Sequence, residues 1–447
     1  MSKTIKLRKG LDIRLKGKAE KKWLPIPASQ TYAICPEDFI GIIPKPIAKE
    51  GDELKAGSPL FYSKDNPEII VASPVSGRLL EIKRGEKRKI LAFIIEASNE
   101  QIYEQSVDNI NDLKGQDLIK ALLKVGLWSF IRQRPYNIIA NPNSTPKSIF
   151  ISGFDTAPLA PDLEFILDGE QENIQAGINL IKKIVDVPIF VGIEPNRNSI
   201  FEKIQGIQIN YFSGPHPAGN VGVQIHHIHP INKGEVVWTI QPEDLAVIGR
   251  YALTGKYDVR RKIALVGSQL SIPAYIETMQ GAKISTFIEN NSTSENNRYI
   301  SGNVLTGINK GKDGYLGFYD RMVSVIPEGN KYEFLGWAMP GLNKFSMSRS
   351  YFSWLRPKKE FVLDTNYHGG VRAYVMTDQY EKVVPMDILP QQLVKAAIIK
   401  DIDLLEKLGI YEVVEEDLAL CEYVCTSKIE VQSIIREALD LIRSEMS

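Results

Sequence analysis

Four of the five histidines of this chain lie close together in the sequence: His216, His226, His227 and His229. Histidine is the most frequent protein ligand of metals and carries protons near neutral pH, so this cluster is the first candidate for chemistry. Three interpretations are open. The histidines form a metal site, they are ordinary polar residues of a loop and a strand, or His216 contacts a ligand or a partner.

His216 lies in the segment Gly214-Pro-His-Pro-Ala-Gly219, where prolines flank it on both sides. Each proline fixes its own φ angle, and the glycines allow tight turns at both ends. A strand-like stretch, Ile207–Ile209, comes shortly before. We therefore expect a rigid loop that presents His216 at the end of this strand, with Pro217 and Gly219 as neighbouring contacts.

The other three histidines follow in a stretch, Val221–His229, whose alternation is typical of a β-strand. Strand geometry would place Val223, Ile225, His227 and His229 on one face and His226 on the opposite face. Two histidines at most could then converge on a metal, whereas a zinc site needs three or four ligands, and no cysteine or pair of carboxylates lies nearby. We expect no metal site and no catalytic residue in this chain. The lack of a Gly-x-Ser-x-Gly turn argues against an acyl-transfer nucleophile.

Composition excludes several classes of function. Lys+Arg and Asp+Glu both number 54, so the net charge is zero and the basic excess of a nucleic-acid-binding protein is missing. The apolar runs are far shorter than the ~20 residues of a membrane helix. The basic N-terminus has no apolar segment behind it and is not expected to be a signal peptide. Three cysteines predict no disulfide framework and a reducing cytoplasm.

The chain is long enough for several domains, and we expect an α/β and α+β multidomain protein. The predicted segments are an N-terminal segment packed on the core (1–37), a biotinyl/lipoyl-like β barrel-sandwich (38–100), a Rossmann-like α/β domain (101–256), a small β-grasp-like domain (257–330), an aromatic-rich connecting segment (331–385) and a C-terminal helical domain (386–447).

The second of these segments resembles the biotinyl/lipoyl-type barrel-sandwich fold. Gly51–Phe61 and Glu68–Ile82 carry its Gly-Asp-x-Leu-x-x-Gly-x-Pro-Leu and Ser-Pro-x-x-Gly patterns. Carrier domains of this fold place their modified lysine eight residues before the second proline. Asn66 occupies that position here, and the nearest lysine, Lys64, is out of register. A structural module is therefore favoured over a carrier.

The third segment begins with strand, helix and strand patterns at Lys147–Gly153, Asn173–Val185 and Pro188–Ile193. This order predicts a parallel sheet. The turn after the first strand, Gly153–Pro161, has no Gly-x-Gly-x-x-Gly motif, and its prolines remove backbone donors that a phosphate group would need. The fold is of a nucleotide-binding type, but the sequence does not support a bound dinucleotide.

The last third of the chain contains a short predicted helix at Pro273–Met279 and an aromatic stretch, Trp337–Lys359. Trp337, Phe352 and Trp354 mark that stretch either as a partner surface or as a long loop packed on its own domain.

Helical periodicity follows at the C-terminus, from Ile388 to Gly409 and from about Lys428 to Glu445. Cys421 and Cys425 are too few for an iron–sulfur site and are expected in the core.

These motifs together resemble the A subunits of the sodium-translocating NADH:quinone oxidoreductases, the bacterial respiratory sodium pumps, over essentially the whole chain. The most specific segments are Ile5–Asp12, Ser73–Gly77, Ser213–Gly219, Ile300–Gly307 and Gly314–Tyr319. More distantly, the chain is similar to the C subunit of Rnf-type complexes and to the NADH-oxidising flavoprotein subunit of complex I. Those relatives carry a Gly-Arg-Gly-Gly-Ala-Gly-Phe-Pro type of flavin loop, where this chain has bulky residues at Gly126–Pro135.

The resemblance implies a peripheral subunit on the cytoplasmic face of the bacterial inner membrane. The complex would be an NADH:ubiquinone reductase and sodium-transporting translocase that uses NADH, flavins, iron–sulfur centres and quinone. This chain would bind none of these redox cofactors and would assist quinone reduction or assembly, not catalyse a reaction alone. Its partners would be the other subunits, including membrane-embedded ones, and no nucleic acid.

The candidate contact residues, with quinone or with partner subunits, are those of the His216 loop and of the aromatic stretch: His216, Pro217, Gly219, Trp337, Phe352 and Trp354. The alternative function is a stand-alone metal-dependent enzyme that uses His216, His226, His227 and His229 as ligands.

Overall fold

The computed structural model describes residues 3–330, 333–336 and 338–446. In these ranges the strands are β1 Thr4–Lys6, β2 Thr31–Ile34, β3 Pro44–Pro46, β4 Glu53–Leu54, β5 Pro59–Ser63, β6 Ile70–Ala72, β7 Gly77–Arg84, β8 Ile90–Ala97, β9 Arg132–Arg134, β10 Ile138–Ile139, β11 Ser148–Ser152, β12 Ile189–Ile193, β13 Gln208–Ser213, β14 Val237–Thr239, β15 Arg260–Val266, β16 Ala274–Met279, β17 Asn297–Ser301, β18 Ile308–Asn309 and β19 Met322–Pro327.

The α-helices of the same ranges are α1 Gly115–Lys124, α2 Leu163–Ile166, α3 Gln171–Ile184, α4 Val221–Ile228, α5 Pro242–Thr254, α6 Ser285–Ile288, α7 Tyr380–Val383, α8 Pro390–Ile399, α9 Ile402–Lys407, α10 Ala419–Val424 and α11 Val431–Met446.

The largest sheet of the described residues has seven strands in the order β1-β13-β12-β11-β14-β9-β10. Strands β1, β13, β12, β11 and β14 run parallel, whereas β9 pairs antiparallel with β14 and with β10. The predicted strands and helix of this region are confirmed as β11, α3 and β12, and their parallel register pairs Ile149 with Ile189. Because β11 is buried on both faces, its sequence is a continuous apolar run.

Helices α3 and α5 pack closely on one another, and two glycines make this contact possible. A Cβ atom at Gly249 would lie 1.7 Å from the carbonyl oxygen of Asn173, and one at Gly177 would lie 2.4 Å from that of Leu245. Backbone atoms cannot move aside as a flexible side chain can, so the helices would have to separate.

We therefore expect Gly249→Ala to lower the free energy of unfolding by about 1–3 kcal/mol, the usual cost of overpacking a core. Gly370→Ala is the matched control, because a Cβ there meets nothing within 4 Å, and its effect should stay within about 0.5 kcal/mol. Thermal unfolding of the two variants checks this. An unchanged melting temperature of the Gly249→Ala protein would contradict the close approach of the helices.

The N-terminal module consists of two small sheets, in the orders β2-β8-β7-β4 and β3-β5-β6 in the described residues. Phe61 of β5 and Phe93 of β8 are fully buried and stack with ring centroids 5.0 Å apart, so the two sheets share one apolar core. Residues Thr31–Ile34 pair with β8 and thereby join this module.

A five-stranded sheet, β16-β15-β19-β17-β18 over the described residues, follows in the chain. The helix predicted near Pro273–Met279 is wrong: this stretch is β16, which pairs antiparallel with β15 from Leu265 to Arg260. Tyr275, Ile276 and Thr278 favour a strand by their β-branched or aromatic side chains, and pairing with a full-length neighbour decides the outcome.

The C-terminal region is helical, as predicted. The periodic stretch up to Gly409 is two helices, α8 and α9, because Lys400 adopts a positive φ of 58° and Asp401 caps α9 by accepting a hydrogen bond from the Leu404 amide. Helix α11 is confirmed between Val431 and Met446 and packs on α8. Cys421 and Cys425 are both buried, as expected of core residues.

Candidate functional site

A cavity of about 200 Å³ lies where the carboxyl ends of the parallel strands face the five-stranded sheet. The residues that line it include the ends of β11 and β14, the start of β9, the loop after β13, and the segment before β19. They are Arg132, Ser152, Phe154, Asp155, Ala157, His216, Gly219, Asn220, Val221, Thr239, Ile240, Gln241, Pro242, Gly302, Asn303, Thr306, Tyr319, Asp320, Arg321, Met322 and Glu416. In open α/β sheets, ligands bind at this edge.

The loop after β13 holds His216 in the wall of the cavity through hydrogen bonds on several sides. The His216 amide donates to Asp12 Oδ1 at 2.9 Å, and its carbonyl accepts from the Leu11 amide at 2.9 Å. Thr156 Oγ1 accepts from the Gly219 amide at 2.9 Å and lies 3.1 Å from His216 Nδ1. When the Thr156 hydroxyl donates to Nδ1, the imidazole carries its proton on Nε2, which makes no hydrogen bond with the described residues. His216 thus lies in the loop directly after the strand, as predicted, and hydrogen bonds hold its backbone in place.

The other three histidines do not join His216. Residues 221–228 form helix α4 and not the predicted strand, and four consecutive residues from Gly222 to Ile225 are buried. Because the helix is enclosed on more than one side, its sequence loses helical periodicity, and the short alternation of valine and isoleucine resembles that of a strand.

Each of these histidines contacts a different part of the protein. His226 uses both ring nitrogens, with Nδ1 donating to Glu412 Oε2 at 2.6 Å and Nε2 accepting from the Asp387 amide at 2.9 Å. His227 Nε2 donates to the Pro385 carbonyl at 2.8 Å. His229 Nδ1 lies 3.1 Å from Ser148 Oγ.

Two of these side chains thus connect α4 to the C-terminal region. In the ranges 3–330, 333–336 and 338–446, no group of three histidine, cysteine or carboxylate residues is placed to hold a metal ion. The four-histidine ligand set of the alternative function is not assembled in this part of the chain.

Polar atoms without a protein partner surround the cavity. Thr239 ends β14 and is buried, and its Oγ1 has no hydrogen-bond partner among the described residues. Arg132 pairs with Thr239 across the sheet, and its Nε is also unpartnered there. Unpaired buried polar groups are costly, so such atoms beside a cavity indicate a site for a polar ligand or for water.

Charged side chains of both signs approach the cavity. The guanidinium carbon of Arg132 lies 4.6 Å from the centroid of the Tyr319 ring, a cation–π geometry. Arg321 Nε lies 3.7 Å from Glu243 Oε1. Asp320 accepts a hydrogen bond of 2.6 Å from Ser301 Oγ, and burial raises the pKa of this carboxyl group.

The C-terminal region closes one side of the cavity through a buried ion pair. Arg134 is 1% exposed and donates from Nη1 to Asp417 Oδ2 at 2.8 Å, and from Nη2 to Glu416. Asn220 Nδ2 donates to the Glu416 carbonyl at 3.2 Å, so the segment before α10 touches both the sheet and the His216 loop.

Of the residues predicted as contacts, the structure brings His216 and Gly219 to the cavity, with Pro217 between them in the chain. Phe352 and Trp354 are exposed in a separate segment, and Trp337 lies outside the described residues. Sequence reasoning missed Arg132, Tyr319 and Arg321. Their only signal was an arginine two residues after an aromatic residue, in Phe130-Ile-Arg132 and in Tyr319-Asp-Arg321.

Burial lowers the pKa of His216, because the protein interior disfavours the charged imidazolium, although Asp155 and Asp12 oppose the shift. The unfolded chain then binds more protons than the folded one below the ordinary pKa of about 6.5. His216 therefore contributes a loss of stability as the pH falls below about 6.5.

We expect His216→Gln to make this acid-side loss smaller. Melting temperatures between about pH 7.5 and 5 check the prediction. Parallel curves for wild type and His216→Gln would contradict it.

None of the helices in the described part of the chain is long and apolar enough to cross a membrane.

Three family models match the chain. They are the NqrA N-terminal barrel-sandwich hybrid domain over residues 5–98, the NqrA second alpha/beta domain over residues 113–257, and the NQRA C-terminal domain over residues 262–310. The first of these confirms the predicted barrel-sandwich module.

The chain is 38% identical to the A subunit of the Na(+)-translocating NADH-quinone reductase of Rhodopirellula baltica, with 98% of each chain covered. It is 36% identical to the A subunits of the same reductase from Neisseria meningitidis serogroup B and from Yersinia pestis bv. Antiqua, with 99% of this chain and 100% of the relative covered in both cases.

Among solved structures, the chain is similar to an NAD+-reducing NiFe-hydrogenase in the air-oxidized state, at 10% identity and a TM-score of 0.34, over 68% of this chain and 56% of the other. That likeness is too weak to support an inference. The matches along nearly the full length are decisive, and the chain belongs to the NqrA family, the A subunits of the Na(+)-translocating NADH-quinone reductases.

Proposed function

We propose that this chain is a peripheral subunit of a sodium-translocating NADH:quinone reductase, on the cytoplasmic face of the bacterial inner membrane. In this proposal its partners, some of them membrane-embedded, hold the flavins and iron–sulfur centres, while this chain binds the head group of the quinone. The observation that carries the proposal is the cavity at the His216 loop, where donor groups without protein partners meet at the carboxyl edge of the sheet.

The size of the cavity favours a single ring over a larger cofactor. Sites for drug-sized ligands have volumes of roughly 300–1,000 Å³, whereas this cavity has about 200 Å³. A quinone ring is small enough to enter this volume.

The stretch Gly126–Pro135, where distant relatives have a flavin loop, supports the same division of roles. Leu127, Trp128 and Phe130 are fully buried in a short 3-10 turn. Trp128 donates from Nε1 to the Ala140 carbonyl at 2.7 Å and packs edge-on against Trp238. Side chains fill this region as part of the core, and a flavin ring would have to displace them.

The chemistry of quinone reduction matches the groups around the cavity. A quinone has two carbonyl oxygens that only accept hydrogen bonds, and it becomes a quinol by taking up two electrons and two protons. His216 Nε2, the Thr239 hydroxyl and the Arg132 guanidinium are the donors. Negative charge develops on the quinone oxygens during reduction, and the arginine stabilises it.

The fold interpretation belongs to the same proposal. The four central parallel strands lie in the order β13-β12-β11-β14. Numbered along the chain, this order is 3-2-1-4, the first four strands of a Rossmann-type sheet, whose strand order reverses between strands 1 and 4. We interpret this domain as Rossmann-like and the five-stranded sheet as β-grasp-like. In this proposal, a fold of a nucleotide-binding type binds a quinone head group.

A cofactor analysis of the purified chain tests the division of roles. We expect neither flavin absorbance nor iron at one equivalent per chain, because the stretch Gly126–Pro135 is packed and no metal ligand set is assembled in the described residues. Stoichiometric flavin or iron after purification from cells supplied with both would contradict the proposal.

Assembly with partners provides a second test. Phe352 and Trp354 are about half exposed, and we propose that they contact the membrane-embedded subunits. Phe352→Ser combined with Trp354→Ser should reduce co-purification of the other subunits severalfold without a change in the melting temperature of the isolated chain. Ile102→Ser, at a comparably exposed apolar residue of the N-terminal module, is the control. Wild-type assembly of the double variant would count against this contact.

A further inference from the structure

The segment from Phe334 to Lys359 combines apolar and basic residues in an unusual way. In this stretch the sequence has five lysines and arginines and no aspartate or glutamate. The chain as a whole has equal numbers of both signs. Glu333 and Glu360 border the stretch on either side, so cations exceed anions by three when both are included.

Three of these cations are exposed and unpaired. The side chains of Arg349, Arg356 and Lys358 make no hydrogen bond or ion pair with the residues described. Lys344, by contrast, pairs with Glu333, and Lys359 donates to the Leu342 carbonyl at 2.7 Å. The three unpaired side chains are free to contact a surface outside the chain.

The N-terminal stretch adds cations to the same side of the molecule. Leu15 forms a parallel bridge with Phe361, so Arg14 and Lys16 flank the end of the segment. Arg14 Nη1 donates to the Pro357 carbonyl, and both side chains are exposed. We call Arg14, Lys16, Arg349, Arg356 and Lys358 the basic face.

Large exposed apolar side chains lie between Arg349 and Arg356 in the chain. Phe352, Trp354 and Leu355 lie on one 3-10 turn and are 56%, 50% and 60% exposed. Arg349 and Arg356 stand on either side of that turn. Tryptophan beside apolar residues, with lysine and arginine around them, is the composition of protein surfaces that lie at the headgroup level of a bilayer.

We propose that the basic face binds the anionic headgroups of a lipid bilayer, on either side of the Phe352–Leu355 turn that faces the membrane-embedded subunits. The inference rests on the proposed function, in which the chain is peripheral to a membrane complex, and it specifies what the cations of that side contact. The negative surface of a membrane attracts cations without a fixed geometry, which suits long, unpaired side chains on an irregular segment.

Each lysine or arginine near an anionic bilayer strengthens binding about fivefold. Loss of the three unpaired cations should therefore weaken binding by about 100-fold. Because the attraction is electrostatic, it should also fall steeply when the salt concentration rises from about 0.05 to 0.5 M.

Co-sedimentation of the full chain with vesicles tests the proposal. One set of vesicles is pure phosphatidylcholine, and the other contains roughly one third phosphatidylglycerol. The variant is Arg349→Gln/Arg356→Gln/Lys358→Gln, and its matched control removes three exposed lysines elsewhere, in Lys45→Gln/Lys49→Gln/Lys120→Gln. Wild type and control should bind the anionic vesicles but not the pure phosphatidylcholine vesicles. The basic-face variant should bind the anionic vesicles about 100-fold more weakly.

Absence of wild-type binding to the anionic vesicles would overturn the proposal, and so would equal binding of the two triple variants. If the wild type does not bind vesicles and the basic-face variant no longer assembles with the other subunits, the face is a protein interface. That result would also overturn the proposal. The proposed function is judged separately, by co-purification of the Phe352→Ser/Trp354→Ser chain. Vesicle binding can therefore fail while that function stands.

Discussion

Replacement of Arg134 by leucine is expected to lower the free energy of unfolding by about 3–5 kcal/mol, the largest stability effect that the structure predicts. Asp417 is fully buried at its side chain, and its carboxylate accepts from Arg134 Nη1 at 2.8 Å. Without the guanidinium, a buried charge remains with no compensating cation. The first unfolding transition in urea, followed by tryptophan fluorescence, measures the loss.

Two further variants separate this effect from a general loss of charge. Arg197→Leu removes an exposed partner of Glu194 and should cost less than about 1 kcal/mol. The double variant Arg134→Leu/Asp417→Leu should recover part of the lost stability, because no unpaired charge is left. An Arg134→Leu protein as stable as the Arg197→Leu protein would show that the C-terminal region does not depend on this ion pair.

Replacement of Arg132 by leucine is expected to lower kcat/KM for the quinone about 10–100-fold in the assembled reductase. Loss of a hydrogen bond from a charged donor costs about 1.5–3 kcal/mol, which corresponds to this range. Arg132 lines the cavity and stacks on Tyr319. The KM for NADH should stay unchanged, because the NADH site belongs to another component of the complex in this proposal.

The controls for Arg132 address charge and stability. Arg132→Lys keeps the charge and should retain more activity than Arg132→Leu, whereas the exposed Arg78→Leu should behave like the wild type. Equal kcat/KM values for the Leu variant and wild type would remove Arg132 from the quinone site. A simultaneous rise in the KM for NADH would indicate a wider structural defect.

Much of the fold could be predicted because its signals are local. The buried strands β11 and β12 are short apolar runs bounded by glycine and proline, and α3 has a clear apolar face. The parallel pairing of these strands then follows from their order in the chain. The C-terminal helix α11 could be predicted equally well, because one of its faces is solvated and polar.

The wrong predictions concern segments whose conformation depends on distant neighbours. Helix α4 is enclosed by the sheet and by Glu412, Pro385 and Asp387 of the C-terminal region. Because of this burial, its apolar residues do not recur with the helical period of 3.6. The residues of β16 adopt the strand conformation because they pair with β15. Local sequence carries no information about such partners.

The candidate site was only partly predictable for the same reason. The prolines around His216 predicted a loop after a strand, and such a loop follows β13. Arg132, Thr239 and Tyr319 come from distant parts of the chain, and the sheet brings them together. No spacing rule connects them, so the cavity could not be inferred before the fold was known.

Equilibrium binding of ubiquinone-1 to the purified chain shows whether the cavity at His216 holds a quinone head group. Trp238 directly precedes Thr239, so quinone in the cavity should quench tryptophan fluorescence. We expect saturable quenching with one quinone per chain, with an affinity weakened about 10–100-fold by Arg132→Leu and unchanged by Arg78→Leu. Absence of saturable binding, or equal affinities of the wild-type and Arg132→Leu chains, would contradict this expectation.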